Sequence, residues 1–330
     1  MSTQTFRWGV IAPGSIANKF AQSLRAWPNH EIVAVGSRSI ERAEQFGERY
    51  QVKNRYGSYS EVAKDPEVDA VYVAPPHRFH KDAVLPCLEQ GKAVLCEKPL
   101  TVNRREAEEL VAAAKRKNVF LMEAMWTRFL PAMRRVREWI REGRIGDVRM
   151  LRADFCFRSG WNPEGRLLNP ELAGGSLLDV GVYVIALAFD IFRRSPMKVE
   201  SVGQIGDTGV DEHAGLVFGY DDGSLAVLTC GVRTRLPVQA VISGTEGMIE
   251  IPPTFYDAQK AVLTTDEGRE VIEFPHEVNG FEYEVAEVER CVRAGKTQSA
   301  IMPLEHSLAM ADTMDSIRRE WGLVYPFESR

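Results

Sequence analysis

Lys98 stands in the run AVLCEKPLT (93–101), in which four apolar residues give way to Glu97, Lys98 and Pro99. A buried strand that leaves by an acid and an amine, with a proline to stiffen the exit, holds a cationic nitrogen in one place, and a positioned amine is useful for chemistry. A second stretch, GGSLLDVGVYVIALAFDIF (174–192), breaks the chain at Gly174 and Gly175 and then carries Asp179 and Tyr183 four residues apart, on one helix face. The rest of that helix is almost wholly apolar, so it is buried, and a buried carboxyl and phenol require partners. A free tyrosine titrates near about 10, too high for a good base near neutral pH, and an adjacent ammonium lowers it. Tyr183 is therefore the candidate acid/base, with Lys98 its electrostatic partner. A desolvated Lys98 that has lost its own proton is the competing base, and the sequence leaves both open. An exposed strand-end lysine and a satisfied core tyrosine remain the plainer alternatives.

The elements that position these residues alternate. FRWGVIA (6–12), EIVAVGS (31–37), DAVYVAP (69–75), KAVLCE (92–97) and VFLMEA (119–124) read as strands, with helices expected over 40–50, 80–91 and 105–118. Strands and helices at this spacing indicate a parallel sheet covered on both faces. Ligands of such sheets bind beyond the carboxyl ends of the strands, where Lys98 and the segment Ala74, Pro75, Pro76, His77 to His80 both lie. The first strand runs into Ala12, Pro13, Gly14, Ser15, Ile16 and Ala17, a degenerate G-x-G-x-x-G/A turn with glycine kept at the middle position, where a pyrophosphate approaches the backbone. At the end of the second strand stand Ser37 and Arg38, with Arg42 one turn on, in place of a carboxylate. A hydroxyl and guanidinium groups attract a 2′-phosphate that a carboxylate would repel. The expected cofactor is NADP, with NAD open.

After residue 124 the rhythm changes. A long helix (129–146) and a period-two strand (148–157) precede a series of strands from Val199 to Phe274, broken by the turn signals YDDGS, GTEGM and TDEGR. Helices over 281–294 and 304–321 close the chain. The expectation is an α/β protein: a Rossmann parallel sheet in 1–124, and an α+β domain in 125–330 for substrate binding and dimerisation, built on a large, mainly antiparallel open sheet.

The chain has 330 residues and a net charge of −5, with no basic block, which argues against nucleic acid as a partner. MSTQTFRWGVIAPG lacks a signal-peptide pattern, and no run of the sequence is read as a membrane span. Five widely spaced cysteines without CxxC read as free thiols of a cytoplasmic protein. His77 and His80 stand three apart with no third ligand at a useful spacing, so no metal is expected.

Taken together, AVLCEKPL, GGSLLDVGVY and the glycine turn resemble the glucose–fructose oxidoreductase and inositol dehydrogenase (Gfo/Idh/MocA) family over nearly the whole chain. EAMWTRF (123–129), Tyr183, Ser37–Arg38 and the C-terminal IMPLEHSLAMADTMDSIRREWGLVYP are similar to the branch of dimeric dihydrodiol dehydrogenases and NADP-dependent D-xylose dehydrogenases. Ala12 and Pro13 depart from the family turn. The resemblance implies hydride transfer between nicotinamide and a secondary carbinol of a sugar or cyclic trans-diol. It also implies a homodimer through the open sheet, with higher assembly left open. On this reading Lys98 donates to the substrate oxygen, Glu97 orients Lys98 or contacts the nicotinamide ribose, and His77 contacts the cofactor. Asp179 binds a substrate hydroxyl, and Trp126, Arg128, Trp161 and Arg166 wall the pocket. The alternatives are a keto-sugar reductase and a catalytically silent NADP-binding redox sensor.

Overall fold

The computed structural model describes residues 4–329, in two compact units, Met1–Trp126 with His276–Leu308 and Thr127–Pro275 with Ala309–Arg330. In the first unit six strands, β1 (Phe6–Ile11), β2 (His30–Gly36), β3 (Asn54–Tyr56), β4 (Ala70–Val73), β5 (Ala93–Glu97) and β6 (Leu121–Ala124), form one sheet in the order β3-β2-β1-β4-β5-β6. Every pairing is parallel. Helices α1 (Ser15–Ser23), α2 (Ile40–Tyr50), α3 (Tyr59–Lys64), α4 (His80–Glu89) and α5 (Arg104–Lys117) make the connections. The chain order reverses between β1 and β4, which opens the crevice that nucleotides use in this architecture. β4 and β5 are buried at every residue, the reason they read as unbroken apolar runs. Ser39 and Asn103 set the starts of α2 and α5 by accepting from the Arg42 and Glu106 amides.

The short β3 was not anticipated. It has three residues, none fully buried, and pairs only with β2. A second difference concerns residues 276–308, expected in the C-terminal domain. The helix Glu282–Arg293 belongs to the first unit: Trp27 donates to the Glu282 carbonyl (3.1 Å), the His30 ring meets Glu289 (3.0 Å), and the Leu121 amide donates to the Thr297 carbonyl (3.1 Å). Its Val285, Val288 and Cys291 stripe marks a helix with one buried face but does not say which sheet that face meets.

The second unit is built on eight strands, β7 (Val148–Cys156), β8 (Lys198–Ile205), β9 (Asp211–Gly219), β10 (Leu225–Gly231), β11 (Ala240–Gly244), β12 (Gly247–Ile251), β13 (Lys260–Thr265) and β14 (Gly268–Glu273), in the order β14-β13-β12-β11-β7-β10-β9-β8. All pairings are antiparallel except β7 with β10. The expected helix over 129–146 is shorter, α6 (Pro131–Arg141), with proline in its first turn. α7 (Val182–Phe192) packs on β7 and β10, and a π-helical turn, Leu177–Gly181, leads into it. The opposite face of the sheet carries Met150, Val202, Val217, Leu225, Met248 and Val271, all exposed; their cross-strand registers put them on one side. Contrary to the sequence reading, Pro170–Phe192 is long and apolar enough to cross a membrane by composition; 89% of its most apolar window is buried inside the protein, as in a core helix. All five cysteines are free and buried.

Candidate active site

In the first unit the loop after β5 is clamped one residue at a time. The Glu97 carboxylate accepts from the Lys98 amide (3.2 Å) and from the Tyr72 hydroxyl on β4. The Glu123 carboxylate, from β6, accepts from the Leu100 amide (3.0 Å) and the Ser307 hydroxyl (2.6 Å). Both nitrogens of the buried His80 ring face carbonyls, Pro99 at 2.8 Å and Pro75 at 3.0 Å, tying this loop to the one after β4. Burial lowers the His80 pKa to about 4, so the ring is neutral and donates to one of the two carbonyls. The Lys98–Pro99 bond is cis. Burial raises the pKa of Glu97, and the Tyr72 hydroxyl and the Lys98 charge oppose that rise. Beside Glu97 lies Glu284, fully buried, with neither carboxyl oxygen hydrogen-bonded among the described residues. Burial, with the Glu97 charge added, holds Glu284 well above the usual carboxylate range.

The dinucleotide crevice is carried by the same unit. Ala12 takes the left-handed conformation (φ 63°) that the fingerprint reserves for glycine, at the cost of strain a glycine would avoid. Gly14 caps α1, and a methyl group on it would meet only the Ala12 carbonyl, at 4.0 Å. The space in front of the helix is thus open at the one position where a side chain would stand in the way of a pyrophosphate. α1 has no acidic residue in its first turn, and its free amides favour an anion. Arg38 and Arg42 are exposed and make no ion pair among the described residues, whereas Ser37 is buried and its hydroxyl accepts from the Ser39 amide (3.2 Å). The residues present fit a nicotinamide dinucleotide.

In the second unit the start of the α7 segment is fixed by a distant carboxyl. Asp211, at the start of β9, accepts from the Leu177 amide and the Ser176 hydroxyl, both at 2.7 Å. Gly175 adopts φ 124°, and a methyl group there would lie 2.1 Å from the Asp211 carboxyl. The Tyr325 hydroxyl donates to the Gly174 carbonyl (2.7 Å). Gly175 is thus a packing requirement of the Asp211 cap, and Gly174 of the Leu167 backbone, 2.8 Å from an added methyl group. Asp179 sits in the π-helical turn, 5% exposed, and accepts from Arg166 at 2.6 Å. Tyr183 belongs to an aromatic group: its ring is 5.3 Å from Phe155 and 5.8 Å from Tyr256, and Phe155 stacks on Tyr256 at 4.4 Å. A carboxylate held by an arginine beside flat rings suits a ring compound that carries a hydroxyl.

Residues 6–125 match the GFO_IDH_MocA family, described as an oxidoreductase family with an NAD-binding Rossmann fold, and residues 133–250 match the GFO/IDH/MocA C-terminal domain. The chain belongs to the GFO/IDH/MocA oxidoreductase family. It is an NAD(P)-dependent dehydrogenase. Among similar proteins, trans-1,2-dihydrobenzene-1,2-diol dehydrogenase of Mus musculus is 40% identical over 98% of this chain and 99% of its own length. The Homo sapiens enzyme of that name is 36% identical over 98% and 99%. A 3-ketoreductase from Actinomadura kijaniata, solved with NADP and TDP-benzene, is 28% identical, with a TM-score of 0.82 over 96% of this chain and 98% of its own. An aldose-aldose oxidoreductase from Caulobacter crescentus, complexed with glycerol, shares the fold at 24% identity, with a TM-score of 0.88 over 99% of both chains.

For this family member the residues picked out by sequence fall into two sets. Ala12 to Ile16, Ser37, Arg38, Arg42, Ala74 to His77, Glu97 and Lys98 gather at the carboxyl ends of the parallel strands, and Trp126 stacks on Phe281 in the same unit (4.9 Å). Asp179, Tyr183 and Arg166 belong to the second unit, as does Trp161, which is 52% exposed under the Arg233 guanidinium (5.4 Å). Two residues sit elsewhere than expected. Arg128 is 2% exposed and donates to the Ala186 carbonyl (3.0 Å), inside the second unit and away from any solvent-facing wall. His80 presents no accessible ring nitrogen and braces the two loops. Sequence reasoning missed Glu123, Glu284, Asp211 and Tyr256. Only Tyr256, in the aromatic pair Phe255–Tyr256, left a visible signal.

Proposed function

We propose that this enzyme prefers NADP and dehydrogenates a secondary carbinol in a six-membered ring with a neighbouring hydroxyl, trans-dihydrodiols of arenes first and aldopyranoses second. The observation that carries this reading is the clamped loop at the end of β5, where Glu97, Glu123 and His80 hold the backbone of Lys98, Leu100 and Pro99 and so fix where the Lys98 side chain starts. The names of the relatives in mouse and human support the diol, and the Phe155, Tyr183 and Tyr256 rings supply apolar faces for an unsaturated ring. Arg38 and Arg42, exposed and free of ion pairs among the described residues, support a 2′-phosphate.

Oxidation of the carbinol removes one hydride from carbon and one proton from oxygen. The nicotinamide, when bound, supplies the hydride acceptor. Lys98 donates to the carbinol oxygen and stabilises the negative charge that develops there. Tyr183, as the phenolate, takes the proton from the carbinol oxygen. Asp179, oriented by Arg166, accepts from the neighbouring hydroxyl and sets which carbon faces the ring. A second copy of the chain covers the apolar face of the eight-stranded sheet, where Val202 is 80% exposed; solvent is otherwise a poor partner for that face. The protein works in the cytoplasm, consistent with five unpaired buried cysteines.

The test is a panel read at 340 nm: trans-1,2-dihydrobenzene-1,2-diol, D-xylose and D-glucose, each with NADP and with NAD. Turnover of the diol above both sugars, with NADP above NAD, is the expected result. Sugar turnover without diol turnover assigns the aldose reading. Silence throughout, despite tight NADPH binding, overturns the enzyme reading in favour of the redox sensor.

A further inference from the structure

The Arg38 guanidinium does not stand alone at the end of β2. Its carbon lies 4.9 Å from the centre of the Phe79 ring, in the cation–π range, on the loop that follows β4. The phenol of Tyr59, on α3, lies near the same guanidinium, whose charge opposes the rise that burial imposes on the phenol's pKa. Phe79 and Tyr59 are both half-buried, so they are anchored from below while Arg38 remains exposed above them. An exposed arginine ordinarily has many rotamers, and ordering it on a ligand reduces the affinity gained. Here three elements, the end of β2, the loop after β4 and the start of α3, converge to hold one guanidinium in place. Arg38 itself stays exposed to solvent beside the ring. Neither Arg38 nor Arg42 is paired with a carboxylate among the described residues, so the local positive charge is available to a dianion.

We propose that Phe79 is a specificity-determining residue for the coenzyme: its ring, with the Tyr59 phenol nearby, fixes Arg38 as the docking point for the adenosine 2′-phosphate. Discrimination between phosphorylated and unphosphorylated dinucleotides then depends on a side chain that contacts no phosphate itself. Phe79 acts through Arg38 and is a positioning residue. The inference rests on the NADP preference proposed above.

The experiment measures dissociation constants by fluorescence for NADPH, NADH, 2′,5′-ADP and 5′-ADP on wild type, Arg38→Ala, Phe79→Leu and Phe79→Tyr. Leu removes the ring and keeps most of the volume, whereas Tyr keeps the ring. Expected for Phe79→Leu is about a fivefold loss for NADPH and 2′,5′-ADP, with NADH and 5′-ADP changed by less than about twofold, and retention of wild-type selectivity in Phe79→Tyr. Equal losses for all four ligands in Phe79→Leu, or none, overturn the proposal, and so does loss of selectivity in Phe79→Tyr. The Arg38→Ala arm separates this outcome from failure of the underlying reading. Selective loss of the phosphorylated ligands there keeps the NADP reading standing whatever Phe79 does. Equal loss for both kinds refutes that reading itself.

Discussion

Asp211→Asn isolates the one carboxyl that holds the start of the Tyr183 helix. Asp211 is fully buried, and burial pushes its pKa from 3.8 to about 6, with the Ser176 hydroxyl and the Leu177 amide opposing the rise. Its other neighbours are the Cys230 thiol and Tyr325, the first of which shares the Ser176 hydroxyl (3.5 Å). A carboxyl whose folded pKa is raised is most favourable to folding when protonated. Its contribution is therefore fully present below the unfolded value near 3.8 and is lost as pH rises through about 6. A rise from 3.8 to about 6, at about 1.4 kcal/mol for each tenfold change in proton affinity, corresponds to a loss of about 3 kcal/mol across that window. Asn is neutral at every pH and still offers an oxygen to the Leu177 amide. The unfolding free energy of Asp211→Asn minus that of wild type should therefore increase by about 2–2.5 kcal/mol between about pH 4 and pH 7. Urea denaturation of both proteins at half-unit steps measures it, and groups that titrate equally in the two chains cancel in the difference. A flat difference, or one that falls with pH, would refute the reasoning, because it means that the cap donors outweigh burial.

Three further outcomes follow from the same structure. Lys98→Ala should reduce kcat by about two decades, the scale of a lost transition-state donor, with NADPH affinity nearly unchanged; a parallel loss of NADPH binding would reassign Lys98 to the cofactor. Glu284→Leu should raise the melting temperature, because an unpartnered buried carboxyl costs about 1–3 kcal/mol and each kcal/mol is worth about 2–4 °C in a unit of this size. A lower melting temperature in a calorimetric scan would show that the carboxyl has a stabilising role. Val202→Glu should convert dimer to monomer in sedimentation velocity, and an unchanged sedimentation coefficient would remove the sheet face as the interface.

The chemistry was more legible than the architecture around it. Lys98 announced itself because an apolar strand rarely ends on an acid, an amine and a proline, and Tyr183 because a phenol interrupts an apolar helix. Gly14 and the alternation of strand and helix marked the nucleotide crevice even though alanine replaces the first glycine, since Ala12 adopts the glycine conformation anyway. The acids buried around these residues were hidden. Glu123 reads as a polar residue in a short strand, Glu284 as one of several acids on a charged helix, and Asp211 as a surface acid before a strand. All three are buried, and composition assigns such residues to solvent. Arg128 failed in the opposite sense: an arginine near an aromatic suggests a pocket, and it lies inside the second unit on a backbone carbonyl.

The sequence by itself determined the local periods, the parallel sheet with its ligand edge, and the residue types able to move a proton and a hydride, because these follow from neighbours a few positions apart. Only the tertiary structure decided that β7 pairs in parallel with β10, about seventy-five residues away, and that residues 276–308 return to the first unit. It also decided that buried carboxyls hold the loop after β5, through Glu97 and Glu123, and the start of the Tyr183 helix, through Asp211. Those outcomes depend on which surfaces meet after the chain has crossed itself, and the burial of a charged group is a property of the meeting surfaces that no stretch of sequence carries alone.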